Sequence, residues 1–243
     1  MFYSIRKIFR KYFLIVPADE TIGIIRSLIL WTLFIILFLY FISNLDIRGF
    51  PGRNTVINFI SLYNPKQDGG YLEFFQDILL LWTTIITFKI VSDKRLKKAW
   101  YISWIYMFIL FDDFFRLHDG IIGSRINNFY IKNNINEVIS LIRSKDLAEF
   151  SYWIIPIISI LLLTFFAINK ANKICISLII GNLIFFLTLG LFGIFLDIIH
   201  ASILFKFVNS SLNELIILIE EFGEALTITF AFLWNFNFYI VNK

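Results

Sequence analysis

The sequence predicts an all-α polytopic membrane protein, a single bundle of about six transmembrane helices. Three observations carry that prediction. The chain of 243 residues is 58% hydrophobic and only 16% charged, too little polar surface to cover an apolar interior in water. Apolar runs recur along it at close to the roughly 20 residues that a helix needs to cross hydrocarbon. The Lys and Arg residues between those runs gather on alternate connections, as the positive-inside rule requires of a multi-pass chain.

Residues 1–26 alternate Phe, Ile and Tyr with Arg and Lys in a helical rhythm and read as an amphipathic interfacial segment that breaks near Pro17. The transmembrane domain follows over 27–243. Its spans fall at about 27–43, 72–92, 99–117, 152–168, 174–205 and 215–241, with Pro156 a candidate kink in the fourth. NPKQDGG marks a loop between the first two spans, and a longer connection after the third ends in NEVISLIRSKDLAEF, an amphipathic pattern suited to capping one face. Trp82, Trp100, Trp104, Trp153 and Trp234 fall near span ends and suggest interfacial belts. Gly181, Gly190 and Gly193 permit close helix approach in the fifth span.

With six spans, the basic clusters at 6–11, at 94–98 and at Lys170 and Lys173 share one side with Lys243. That side is expected to be cytoplasmic, with both termini. The net charge of +4 is spread along these flanks rather than gathered in a soluble module, which argues for anionic headgroups and against nucleic acid as a partner. The single Cys175 permits no intrachain disulfide and no Cys-based metal motif. No cleavable signal peptide is evident before the first span.

The polar residues inside the greasy segments raise the question of function. FDDFFRLHD places Asp112, Asp113, His118 and Asp119 at the outer end of the third span. LDIIH brings Asp197 and His200 to the same end of the fifth, IEEFGEAL brings Glu220, Glu221 and Glu224 to the start of the sixth, and LEFFQD brings Glu73 and Asp77 to the start of the second. Carboxylates near hydrocarbon are costly unless neutralised, paired or hydrated, so their convergence at one depth marks a site. Glu73 with Asp77 and Glu220 with Glu224 are i,i+4 pairs, and Asp197 with His200 is i,i+3. Asp112 and Arg116 form another i,i+4 pair, whereas an ideal helix turns His118 away from both Asp112 and Asp113.

Imidazole with carboxylate suits a divalent metal, zinc first and iron or manganese next. His118, His200, Asp113, Asp197 and Glu224 are the expected ligands, with Glu221 or Asp112 orienting ligands or moving a proton. The reaction expected first is hydrolysis of a lipid or lipid-linked substrate at the outer leaflet by a metal-activated water. Transport of a proton or cation is the second reading, and a structural or assembly role, in which the acids and histidines only tie helices together, is the third. Membrane lipid is the expected partner, a lipid substrate a further one, and self-association or membership of a membrane complex stays open.

On these same residues the chain resembles a group of uncharacterised bacterial multipass membrane proteins. Their hallmark is an acid pair followed by a histidine and another acid at a span end, here Asp112, Asp113, His118 and Asp119. The likeness extends to LEFFQD, LGLFGIFLD and IEEFGEAL, over about residues 72–235, although Asp113 and Asp119 stand where glutamate is more usual. It implies a shared site and no particular activity. More faintly, the layout is similar to the alkaline-ceramidase-like membrane hydrolases, which hold zinc with histidines and acids on a helical bundle. This chain lacks their full histidine set and an obvious catalytic serine, and the likeness implies only hydrolase chemistry.

Overall fold

The computed structural model describes residues 23, 27–36, 38, 70–133, 144–169, 171–196 and 210–242. Among them every regular element is helical. In chain order these are α1 (Ser27–Ile36), α2 (Tyr71–Val91), α3 (Trp100–Phe115), α4 (Ile122–Lys132), α5 (Ser144–Ile168), α6 (Lys173–Gly190) and α7 (Ser210–Asn242). A short 3₁₀ turn, Lys97–Ala99, leads into α3. Two π-helical segments interrupt the regular pattern, Leu117–Ile121 after α3 and Leu191–Leu196 after α6.

α2, α5 and the α6 region through Leu196 are long and apolar enough to cross a membrane, which supports a polytopic membrane protein. In α2, 44% of the most apolar window is buried inside the protein, against 11% in α5. α5 is therefore a peripheral helix, and its exposed Ile155, Phe165 and Phe166 form a lipid-facing wall. The helix runs on through Pro156 and takes in KDLAEF, while residues 136–143 of the expected surface helix lie outside the described residues. The stretch from Ile122 to Lys132, expected within a long connection, is instead an amphipathic helix packed on α5 and tied to it by Tyr130 and Ser151 hydroxyls 2.7 Å apart.

The centre of the bundle is α2, α3, α6 and α7, with α2 packed on both α3 and α7, and α7 on α6. Lipid tails are as apolar as leucine, so packing and internal hydrogen bonds, rather than expulsion from water, hold such helices together. Trp234, Tyr106, Phe238, Leu80, Ile102 and Leu178 are fully buried there. Gly181 makes room for Trp234, since a Cβ at that glycine would collide with the indole. Trp234 is thus a core residue rather than part of an interfacial belt, whereas Trp82, Trp100 and Trp104 are half-exposed. Asn182 and Asn235 exchange amide hydrogen bonds of 3.1 and 2.8 Å, and the Tyr106 hydroxyl donates to Asn182 Oδ1 at 2.7 Å. That knot joins α3, α6 and α7. Thr83, Thr84 and Thr87 are buried without penalty because each hydroxyl bonds back to a carbonyl one turn earlier.

The α2–α3 hairpin fixes the direction of everything else. Its turn carries Lys94, Arg95, Lys97 and Lys98, and its open end carries Glu73, Asp77, Asp112 and Asp113. Roughly 30 Å of helix separates these two ends.

A candidate acid–base site in a membrane cavity

At the acidic end α3 stops in an unusual way. Arg116 adopts φ 49° and ψ 50°, the left-handed region, and is the one non-glycine residue with positive φ among those described. An L-residue other than Gly, Asn or Asp pays about 1 kcal/mol there, so tertiary contacts must hold it. The reversal feeds the π-helical turn Leu117–Ile121 and folds His118 back over the end of its own helix. Its Nδ1 comes to lie 2.6 Å from Asp112 Oδ2. This resolves the conflict between His118 and an ideal helix: the helix distorts at Arg116. Gly123 keeps the turn closed, because a Cβ there would strike the backbone carbonyl of His118.

Asp112 is 2% exposed. Its other oxygen, Oδ1, accepts a 2.7 Å hydrogen bond from the Tyr152 hydroxyl of α5. One buried carboxylate thus joins α3, the π turn and α5. The expected Asp112–Arg116 pair does not form; Arg116 reaches Glu73 of α2 at 3.5 Å. Asp113 lies close to Asp77 of α2.

A cavity of about 410 Å³ opens beside these residues. Asp112, Asp113, His118, Glu221 and Glu224 all belong to its wall, together with Arg116 and Lys145. Glu224 is placed by a reciprocal fit between α7 and the second π segment. Its carboxyl lies against Gly193, while Phe192 lies against Gly223, and a Cβ at either glycine would collide with its neighbour. Both π segments therefore border the same cavity, consistent with the tendency of such wide turns to occur at functional sites. The inner part of the wall is apolar, with Leu80, Ile105, Ile160, Phe186 and Ile228. The fully buried Trp234 and Phe238 lie further along α7 toward the basic end.

Asp197 and His200 lie outside the described residues. Among the described residues, no group of three or more His, Cys, Asp or Glu is arranged to hold a metal ion. The expected divalent metal, whether zinc, iron or manganese, is thereby overturned. A metal centre needs three or four donors converging on one point. Here Asp112 engages His118 and Tyr152 with its two oxygens, and His118 turns Nδ1 to Asp112. The carboxyls meet protein partners rather than a common centre.

Nothing in the residue pattern singles out Tyr152, whereas Gln76 falls within LEFFQD. Tyr152 sits at the start of the fourth apolar run, level with the end of the third, and that level was its one available signal. Gln76 is 4% exposed, lines the cavity, and its Nε2 has no hydrogen-bond partner among the described residues.

No curated protein and no solved structure matches the chain. A family described as a domain of unknown function, DUF8692, matches residues 27–238, which takes in α1 to α6 and all but the last turn of α7. The chain belongs to that family.

Proposed function

We propose that this protein is a membrane-embedded acid–base enzyme that hydrolyses an acyl-linked, lipid-like substrate held in the cavity, without a metal. One observation carries the reading: the Asp112–His118 pair, its carboxylate held from behind by Tyr152, lies on the wall of a cavity with a carboxyl-rich end and an apolar end. A histidine that donates Nδ1–H to a buried carboxylate has its lone pair at Nε2, the arrangement of a general base. Nε2 takes a proton from water as the water attacks the acyl carbon. Asp112 stabilises the imidazolium that forms, and His118 returns the proton to the departing group. Arg116 and Lys145 supply positive charge on the same wall for the developing oxyanion. The Gln76 amide offers a donor to a polar atom of the substrate. Asp112 is a positioning residue in this scheme, and Glu221 a second proton-handling group.

In the same reading the chain forms about six spans, with both termini cytoplasmic and the acidic end toward the outer leaflet. The apolar inner wall and the packed Trp234 layer favour a one-sided site over a through-path for ions.

The test is turnover by the full chain in lipid nanodiscs containing a total bacterial lipid extract, followed by mass spectrometry of the lipids. Loss of a lipid species with release of its acyl product, slowed at least 100-fold in His118→Gln, supports the proposal. Undiminished turnover in His118→Gln, or no lipid consumed by wild type, refutes it.

A further inference from the structure

The opposite end of the α2–α3 hairpin holds a second concavity, a cleft of about 490 Å³. Lys94, Lys97 and Lys98 line one part of it and Leu163, Phe166 and Ala167 of α5 another. Trp100 and Tyr101 stand between the two parts. Among the described residues that line it, none is acidic.

The turn that presents the lysines is held from several directions. The Arg95 guanidinium donates to Asp93 Oδ2 at 2.7 and 3.0 Å, and the Arg95 backbone N–H donates to Asp93 Oδ1 at 2.8 Å. The one carboxylate in the turn is thereby engaged by its neighbour. The Arg95 carbonyl accepts a 2.9 Å hydrogen bond from Asn172, at the N-terminus of α6. Leu96 and Ala99 are buried, at 4% and 0% exposure, and anchor the turn in the core. On the far side, the Tyr101 and Thr164 hydroxyls are 3.0 Å apart and set the spacing between α3 and α5. The cleft is therefore built before any ligand arrives, which lowers the ordering cost of binding.

We infer that this cleft binds the headgroup and first acyl segment of an anionic phospholipid. The lysines face a phosphate, and the apolar wall continues into the exposed, lipid-facing surface of α5, where an acyl chain already lies in its own solvent. Basic pockets beside transmembrane helices recognise anionic headgroups in this manner. The half-exposed Trp100 ring sits at the junction, where an amphipathic ring is favoured. A lipid joins both halves of the cleft; a free phosphate would use only the lysines.

The experiment is native mass spectrometry of the full chain released from nanodiscs of phosphatidylcholine containing graded phosphatidylglycerol. Wild type should retain one phosphatidylglycerol preferentially. The triple variant K94Q/K97Q/K98Q should lose that preference by about 100-fold, given three lysines near a membrane surface. K94R/K97R/K98R, which preserves charge, should retain it, and K132Q, which removes a lysine elsewhere, should not alter it. Retention by the Gln triple variant overturns the inference, as does loss in the Arg variant. So does displacement of the lipid by an equal concentration of inorganic phosphate, because the apolar wall would then contribute nothing.

Discussion

The two ends of the α2–α3 hairpin treat charge in opposite ways. At the basic turn, Asp93 pairs with Arg95 two residues away, and the two side chains stay 34% and 66% exposed. At the acidic end, Asp112 pairs with His118 across a broken helix and with Tyr152 across the bundle, and Asp112 and His118 are 2% and 28% exposed. Where water reaches a charge, a sequence neighbour is partner enough. Where it does not, partners must be brought from other elements, and the backbone is bent to bring them. The left-handed Arg116 and the two π segments are the local distortions that this requires.

The comparison breaks first at Asp112. Replacing it by Ala leaves the Tyr152 hydroxyl and the His118 ring without their shared acceptor in a buried setting, and should destabilise the protein by about 3 kcal/mol. Thermal unfolding in detergent measures it, and a loss no larger than that of an exposed-site variant would deny the carboxylate its role. Gly123→Ala should come next, at about 2 kcal/mol, because the new methyl meets the rigid His118 carbonyl rather than a movable side chain. Its second signature is a change at His118 in the ring ¹⁵N shift; an unchanged spectrum would show that the turn has room to spare. Tyr152→Phe removes one hydrogen bond and keeps the ring, so about 1 kcal/mol is expected by the same unfolding measurement.

Asp93→Asn gives the smallest effect and sharpens the contrast from the other side. The Arg95 side chain holds the Asp93 carboxyl below its ordinary range. A depressed acid contributes stability above its unfolded-state pKa and loses it as pH falls through the lower folded value. Wild type and Asp93→Asn should thus differ slightly at neutral pH and converge in strong acid. Exposed pairs of this kind contribute little in any case. A large neutral-pH difference in unfolding temperature would mean that the turn depends on this pair more than its exposure allows.

Much of the fold was legible because membrane helices announce themselves by composition. LEFFQDILLLWTTIITFKIVS, expected as a span at 72–92, is α2 at Tyr71–Val91, whereas the segment expected as a span at 99–117 forms the 16-residue α3 and the turn that ends it, and is not among the three helices long and apolar enough to cross a membrane. The amphipathic α4 is hard to read from sequence because its short apolar stripe, Ile122, Ile126 and Phe129, lies in a polar stretch too short to span. The shape of the site was less readable. The sequence brought acids to one end but could not state how they pair, since i,i+4 spacing favours Asp112 with Arg116 and the chain instead reverses at Arg116. Arginine gives no warning of a left-handed residue, as glycine or asparagine would. The metal expectation failed for the same reason: a list of donors does not reveal which of them are already bonded to one another.

The central claim is that His118 is turned back onto Asp112 and energetically coupled to it. A double-mutant cycle with Asp112→Asn, His118→Gln and both together, read by reversible unfolding in a fixed detergent, tests it most directly. The account predicts a coupling of about 1–2 kcal/mol, with the double variant well short of the sum of the two single losses. Strict additivity would place the two side chains in independent surroundings and contradict it.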